Sequence, residues 1–397
     1  MTSLMTVNYG SKLDLRRFEG LGAAALQRLG TDASDFSQTV SLVNGDAAAG
    51  AQTSYQISLN IEMANGISVK VNLESQGSSL ALQINSGGKL SSADRVALSK
   101  LAEGFQKAID GMGSASQPDF GALLQYDRTL VASIDLHSTI QAGSAPARIQ
   151  TFHVDQNTRS FKADGPDGQV NLSVDLRRLA GIGSAQQRKA GLDAYLKQFE
   201  EAGTRGHANG AALATFKAAF QQMMYEPSKT AVSNAAAISL SESDHALLSG
   251  LPDFSASVVA SPVASNPLRP GEADTFSYQV AQDTVIGGRD QLNRSISQKR
   301  HAHLEASYHE ALSAAEPLAL DGTKESQNYT FTHVSEDRVS DTQIRYQSGI
   351  LVGAATSEQI HRSTQVLKYL MGVLTDERTT PEVFDTRRDL LQQPRLN

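Results

Sequence analysis

The sequence predicts an α+β protein: antiparallel β-meanders partly covered by helices, with an αα-hairpin and a Ser/Pro-rich connection. Three observations carry this. Apolar and polar residues alternate over successive short segments, the period of half-buried strands. Other stretches set apolar residues at helical spacing behind capping signals. Near the middle, a stretch rich in Ser, Ala and Pro has the composition of a connection.

At 397 residues the chain is long enough for two or three compact units. It divides into a weakly ordered lead-in over 1–50, an α+β domain over 51–227, a linker over 228–274 and a smaller α+β segment over 275–397. The lead-in is rich in Ala, Gly, Ser and Thr, with one helical signal from Leu13 to Leu29.

The meander comes next. Tyr55, Ile57, Leu59, Ile61 and Met63 alternate with polar residues, as do Ile67, Val69, Val71 and Leu73. Asn65-Gly66 between them suggests a two-residue turn, but both apolar sets occupy odd positions, so such a turn would mix the two faces. A three-residue loop, Ala64-Asn65-Gly66, pairs Ile61 with Val69 and puts Gly66 in the left-handed position. Leu80, Leu82 and Ile84 form the third strand, and a turn at Gln76-Gly77 would set Leu73 opposite Leu80. The single apolar face needs a cover. The next segment offers one: Ser91 to Asp94 has capping-box spacing, and Leu98, Leu101, Phe105, Ala108 and Met112 form a helical stripe ending at Gly111 and Gly113.

Leu130 to Ile140, Arg148 to Val154 and Val170 to Leu176 continue the strands, with turns at Asp155–Thr158 and Asp164–Gly168. Helices over Ser184–Ala202 and Ala208–Tyr225 make the αα-hairpin, broken at Gly203–Gly206 and stopped by Pro227. The linker Ser228–Asp274 holds Ser261-Pro262, Asn266-Pro267 and Arg269-Pro270-Gly271. Beyond it, Phe276–Val280, Tyr329–Val334, Thr342–Tyr346 and Ile350–Val352 read as strands. A closing helix is expected over Ser357–Leu374, through Ile360, Leu367, Leu370, Met371 and Leu374, with Thr356 and Gln359 at capping-box spacing.

The only cluster with chemical potential is Arg300 to His309. As a helix it would line up His301, Glu305 and His309; as a strand, which the alternation favours, it places His301, His303, Glu305, Ser307 and His309 on one face, and Ala302, Leu304, Ala306 and Tyr308 on the other. Two histidines at i and i+2 can converge on one metal ion, and a nearby carboxylate could complete the set. His333 and His361 are the further imidazoles available. Against this, single histidines on ordinary elements are usually structural, and the sequence identifies no partner that would orient each imidazole. A solvated strand face is the expected state, with no stoichiometric metal and no cofactor. His137 and His153 sit on ordinary strands.

Other chemistry is excluded or unmatched. The absence of cysteine rules out disulfides, thiolate metal sites and Cys nucleophiles. There is no nucleophile elbow, no P-loop, and Gly181-Ile182-Gly183 lacks the rest of a dinucleotide fingerprint. The net charge of -7 repels phosphate backbones, and Lys299-Arg300 is too short a basic patch to offset it, so nucleic acid is not expected. Met1–Asp14 carries no apolar leader and no segment is long enough to span a bilayer. The setting expected is cytoplasmic, with export by an uncleaved terminus as the alternative. Polar strands, Ala/Gln-rich helices and no catalytic constellation together predict a non-catalytic interaction or structural protein, bacterial in style, whose partner is protein. An exported or envelope-associated protein and a metal-dependent enzyme built on His301–His309 are the competing readings.

Overall fold

A computed structural model of the chain describes residues 1–11, 14–32, 34–41, 53–77, 79–113, 118–177, 182–208, 210–224, 238–263, 266–313 and 318–389. Helix α1 (Thr2–Ser11), a 3₁₀ turn (Asp14–Phe18), α2 (Leu21–Thr31) and β1 (Phe36–Ser41) precede the meander β2 (Thr53–Met63), β3 (Ser68–Gln76) and β4 (Ser79–Ser86). Helices α3 (Ser92–Lys100) and α4 (Ala102–Gly113) follow, then β5 (Val131–Ala142), β6 (Arg148–Val154), β7 (Thr158–Gly165) and β8 (Gly168–Asp175). Next come α5 (Ala185–Arg205), α6 (Gly210–Met223), the single turn α7 (Glu242–His245) and β9 (Asp253–Ala260). The chain closes on β10 (Thr275–Asp290), β11 (Asn293–Ala311), β12 (Tyr329–Gln347), β13 (Ile350–Leu370) and β14 (Val373–Asp389). Extensive antiparallel sheet with few helices makes the protein α+β, and no helix among the described residues is long and apolar enough to cross a membrane.

The chain forms two compact units, one of Met1–Arg177 with Ala214–Lys229, the other of Arg178–Leu213 with Thr230–Asn397. In the first, the strand order is β1-β4-β3-β2-β5-β6-β7-β8. The loop after β2 has three residues: Ile61 pairs with Val69, the Gly66 N–H donates to the Met63 carbonyl at 2.9 Å, and Gly66 has φ 83°. The next turn differs from expectation. Gln76 pairs with Ser79, so Leu73 faces Leu82 rather than Leu80. A slip of two residues keeps every side chain on its face, so the apolar pattern is blind to it. The turn decides, with Gly77 as its first residue at φ 51°.

Ile57, Leu59, Ile61, Val69, Val71, Leu82 and Ile84 are all buried. Ser91 and Asp94 form the capping box at the start of α3. The expected single helix is two, parted at Leu101, whose N–H reaches back only three residues to the Leu98 carbonyl. Its apolar stripe is intact, with Phe105 and Ala108 wholly buried. At the start of β5 a bulge opposite Glu62–Met63 makes Val131, not Ala132, the partner of Met63. The lead-in contributes to the core, since Met5, Phe18, Leu21, Leu26 and Leu29 are fully buried. Arg159 is buried too, donating to the Met223 carbonyl at the end of α6 at 2.9 Å.

The second unit orders its strands β9-β10-β11-β12-β13-β14. Within the stretch expected to be linker, Asp253–Ala260 is strand β9, paired with β10, and Val263 bridges Asp274. Its Phe254, Ala256 and Val258 alternate inward, a period that the surrounding prolines hid. On β11, Ala302, Leu304 and Ala306 are buried as expected. Helix α5 meets this sheet through Phe199 on Tyr278, ring centroids 5.8 Å apart, and through the Tyr195 hydroxyl, 3.0 Å from Gln282 Oε1.

The closing helix is not formed. Residues 350–370 are strand β13 and 373–389 strand β14, so Thr356 and Gln359 cap nothing. Two turns explain the error. Ser348-Gly349 and Met371-Gly372 each have positive φ at both residues (52° and 78°, 51° and 76°), the requirement of a two-residue type I′ hairpin. Gly372 lay inside the supposed helix, where it would have been unfavourable.

Candidate functional site

Strand β11 carries the histidine cluster, and pairing register sets its surroundings. His303 lies opposite Asp337 of β12, and Asp337 opposite His361 of β13. The His303 Nδ1 is 2.9 Å from Asp337 Oδ1, and His301 Nε2 is 3.5 Å from the same oxygen. Burial pushes the Asp337 carboxyl up, but His303 and then His301 outweigh it and hold the group below its ordinary range. Glu305 is exposed and accepts from the Ser335 hydroxyl at 2.8 Å, with His303 Nε2 at 3.6 Å from its Oε1. His333 faces Ser307 across the ladder and packs edge-on against Phe331, centroids 4.6 Å apart.

His309 stands apart from this group. Its side chain is 0% exposed, with Nδ1 2.6 Å from Asp274 Oδ1 and Nε2 3.4 Å from Glu272 Oε2. The Tyr329 hydroxyl donates to the same Glu272 oxygen at 2.6 Å and accepts from Asn266 Nδ2 at 2.9 Å. Burial, and then Glu272, push the Tyr329 phenol far above its usual range. This network fastens residues 266–274 to β11 and β12. The alternation that put His309 with His301 was correct for the backbone, but residues 272–274 cover that end of the face. Asp337 is the partner that sequence reading missed; only the β11–β12 register brings it to His303. Among the described residues no group of three His, Asp or Glu side chains is placed to hold a metal ion.

Two clefts have charged linings. One, of about 270 Å³, is lined by α5 and the β10–β13 face, including Lys197, Glu201, Arg300, Arg338 and Glu358. Its charges are already engaged: Arg338 Nε lies 2.7 Å from Glu358 Oε1 and Arg300 Nη2 is 2.9 Å from the Ser340 hydroxyl. The other, in the first unit, is about 760 Å³ and open, lined by Lys107, Asp110, Asp119, Gln125, Gln221 and Gln222 among others.

The most unusual surface is the wing formed by β13 and β14. All 17 side chains of β14 are exposed except Glu382, which is half-buried. β13, at 21 residues, buries only Ala354 and Tyr369. A charge ladder crosses the strands: Arg205 of α5 pairs with Glu336 of β12, Glu336 with Arg362 of β13 at 2.8 Å, and Arg362 with Glu382 of β14 at 2.8 Å. Among polar neighbours, Val373, Leu374, Val383 and Phe384 are exposed, Val383 by 65%. β14 is the last strand in its sheet order, so among the described residues its outer edge has no partner strand. Compared with known proteins, the chain matches no family model, no curated protein and no solved structure.

Proposed function

We propose that this is a non-catalytic protein that works by binding another protein through the β13–β14 wing. The observation that carries the reading is a long edge strand solvated on both faces, with four large apolar side chains exposed along it. Unpaired strand edges template further strands, and exposed apolar side chains gain from being covered. In the smaller cleft Arg338 and Lys197 already pair with Glu358 and Glu201, which leaves it little charge to offer a ligand. Leu98 on α3 and Phe105 and Ile109 on α4 are buried, as helices that cover the meander would require. The Ala208 N–H donates to the Gly203 carbonyl at 2.9 Å, closing a tight turn at the end of α5.

A photo-crosslinking residue at Val383 tests the reading in cells that make the protein, with Val96, exposed on α3, as the control position. We expect one discrete adduct from Val383 and none from Val96. The adducted protein should bind the purified chain and lose that binding with Val383→Glu. No protein adduct from Val383 overturns the proposal.

A further inference from the structure

We infer that the wing's partner is a second copy of this chain, joined by antiparallel pairing of β14 with its own copy about a two-fold axis at Thr380. The inference rests on the wing being the binding surface and names its occupant. Two observations support it.

The first is the ladder Arg205–Glu336–Arg362–Glu382, which alternates in sign and stops on a carboxylate at the sheet edge. A further strand laid there is best matched by a cation opposite Glu382. Arg378, on the same strand, makes no ion pair among the described residues and is exposed.

The second is the arithmetic of self-pairing. A two-fold perpendicular to the sheet keeps each side chain on its face, so a residue opposes one of its own parity. Centring on Thr380 sets Arg378 opposite Glu382 of the second copy, twice by symmetry, and Val373 opposite Arg387. No like charges oppose each other. Centring on Thr379 opposes Asp376 and Glu382, on Pro381 opposes Glu377 and Asp385, and on Glu382 opposes that residue to itself. Like charges directly opposite are unfavourable, so the flanking registers are disfavoured. Pro381 lacks an N–H and is tolerated at an edge; it removes a donor from each half of the ladder, limiting affinity but not register.

Sedimentation of the full chain tests this. We expect a reversible dimer, with Arg378→Glu and Glu382→Arg each weakening association about tenfold or more, because each opposes like charges twice. An equimolar mixture of the two single variants restores association, since every opposed pair is then of opposite sign. Damage to the wing by either substitution would not be repaired by mixing. In a chain without cysteine, Thr380→Cys should also give a disulfide-linked dimer under mild oxidation. A monomer at all concentrations, or a dimer indifferent to both charge reversals, overturns the inference. A monomer whose Val383 probe captures a different protein leaves the binding reading standing, whereas a monomer with no adduct removes both.

Discussion

The meander β2–β4 and the wing β13–β14 use the same antiparallel hydrogen-bond ladder and hold together by different means. In the meander one face is apolar and buried, from Ile57 to Ile84, and each fully buried side chain of this kind contributes about 1.5–3 kcal/mol. In the wing both faces are wet. Its stability comes from continuity with β12 and from cross-strand pairs such as Arg362 with Glu382, worth about 0.2–1 kcal/mol each. A strand can therefore be regular without being core, and the wing is where the fold leaves surface available for an added strand.

The largest contrast should come from a matched pair of truncations. Phe105→Ala, in the meander's unit, is expected to destabilise by about 3–5 kcal/mol. Phe384→Ala on the wing should stay within about 0.5 kcal/mol. Denaturant unfolding compares them, and similar values would erase the distinction.

A charge placed inside the second unit sharpens it further. Asp244, its side chain 0% exposed, lies 2.8 Å from Arg294 Nη2 and accepts from the Tyr346 hydroxyl at 2.8 Å. Breaking this buried pair with Asp244→Ala should destabilise by about 3 kcal/mol. Burial pushes the Asp244 carboxyl up, yet the Ser241 N–H, Arg294 and Tyr346 hold it below its ordinary range. Its contribution is thus present above the unfolded value near 3.9 and fades as pH falls through the lower folded value. The variant's stability should fall less steeply on acidification, which a pH series of unfolding curves would show.

Glu336→Gln cuts the ladder between Arg205 and Arg362 and should cost about 1–3 kcal/mol. Faster hydrogen exchange should appear in β13 and β14 but not in the meander. Exchange unchanged in the wing would mean that the ladder does not hold it.

The smallest effect concerns a turn. Gly66→Ala meets no atom within 4 Å, so only its φ of 83° resists, at about 1–2 kcal/mol. A neutral result would show that the three-residue loop relaxes.

Legibility followed the same division. β2 and β3 were readable because one buried face imposes a period of two, and their odd-numbered apolar sets selected the three-residue loop. β13 was misread because, with neither face buried, Ile360, Leu367 and Leu370 were free to fall at helical spacing. The dipeptides Ser348-Gly349 and Met371-Gly372 suit two-residue turns, but without alternating strands beside them nothing in the local sequence singles them out. For the histidines, alternation placed His301 and His303 outward, but Asp337 is 34 residues from His303 and nothing local links them.

By itself the sequence determined the cysteine-free chemistry, the period of the meander, the capping box at Ser91 and the face on which each β11 histidine lies. These depend on residue type and on neighbours a few positions away. Only the tertiary structure decided that His309 is enclosed by Glu272 and Asp274, that Asp337 joins His303, and that β13 and β14 form a wing wet on both faces. Each of these depends on which strands pair and what covers them, and pairing between distant segments leaves no mark in the local period of either one.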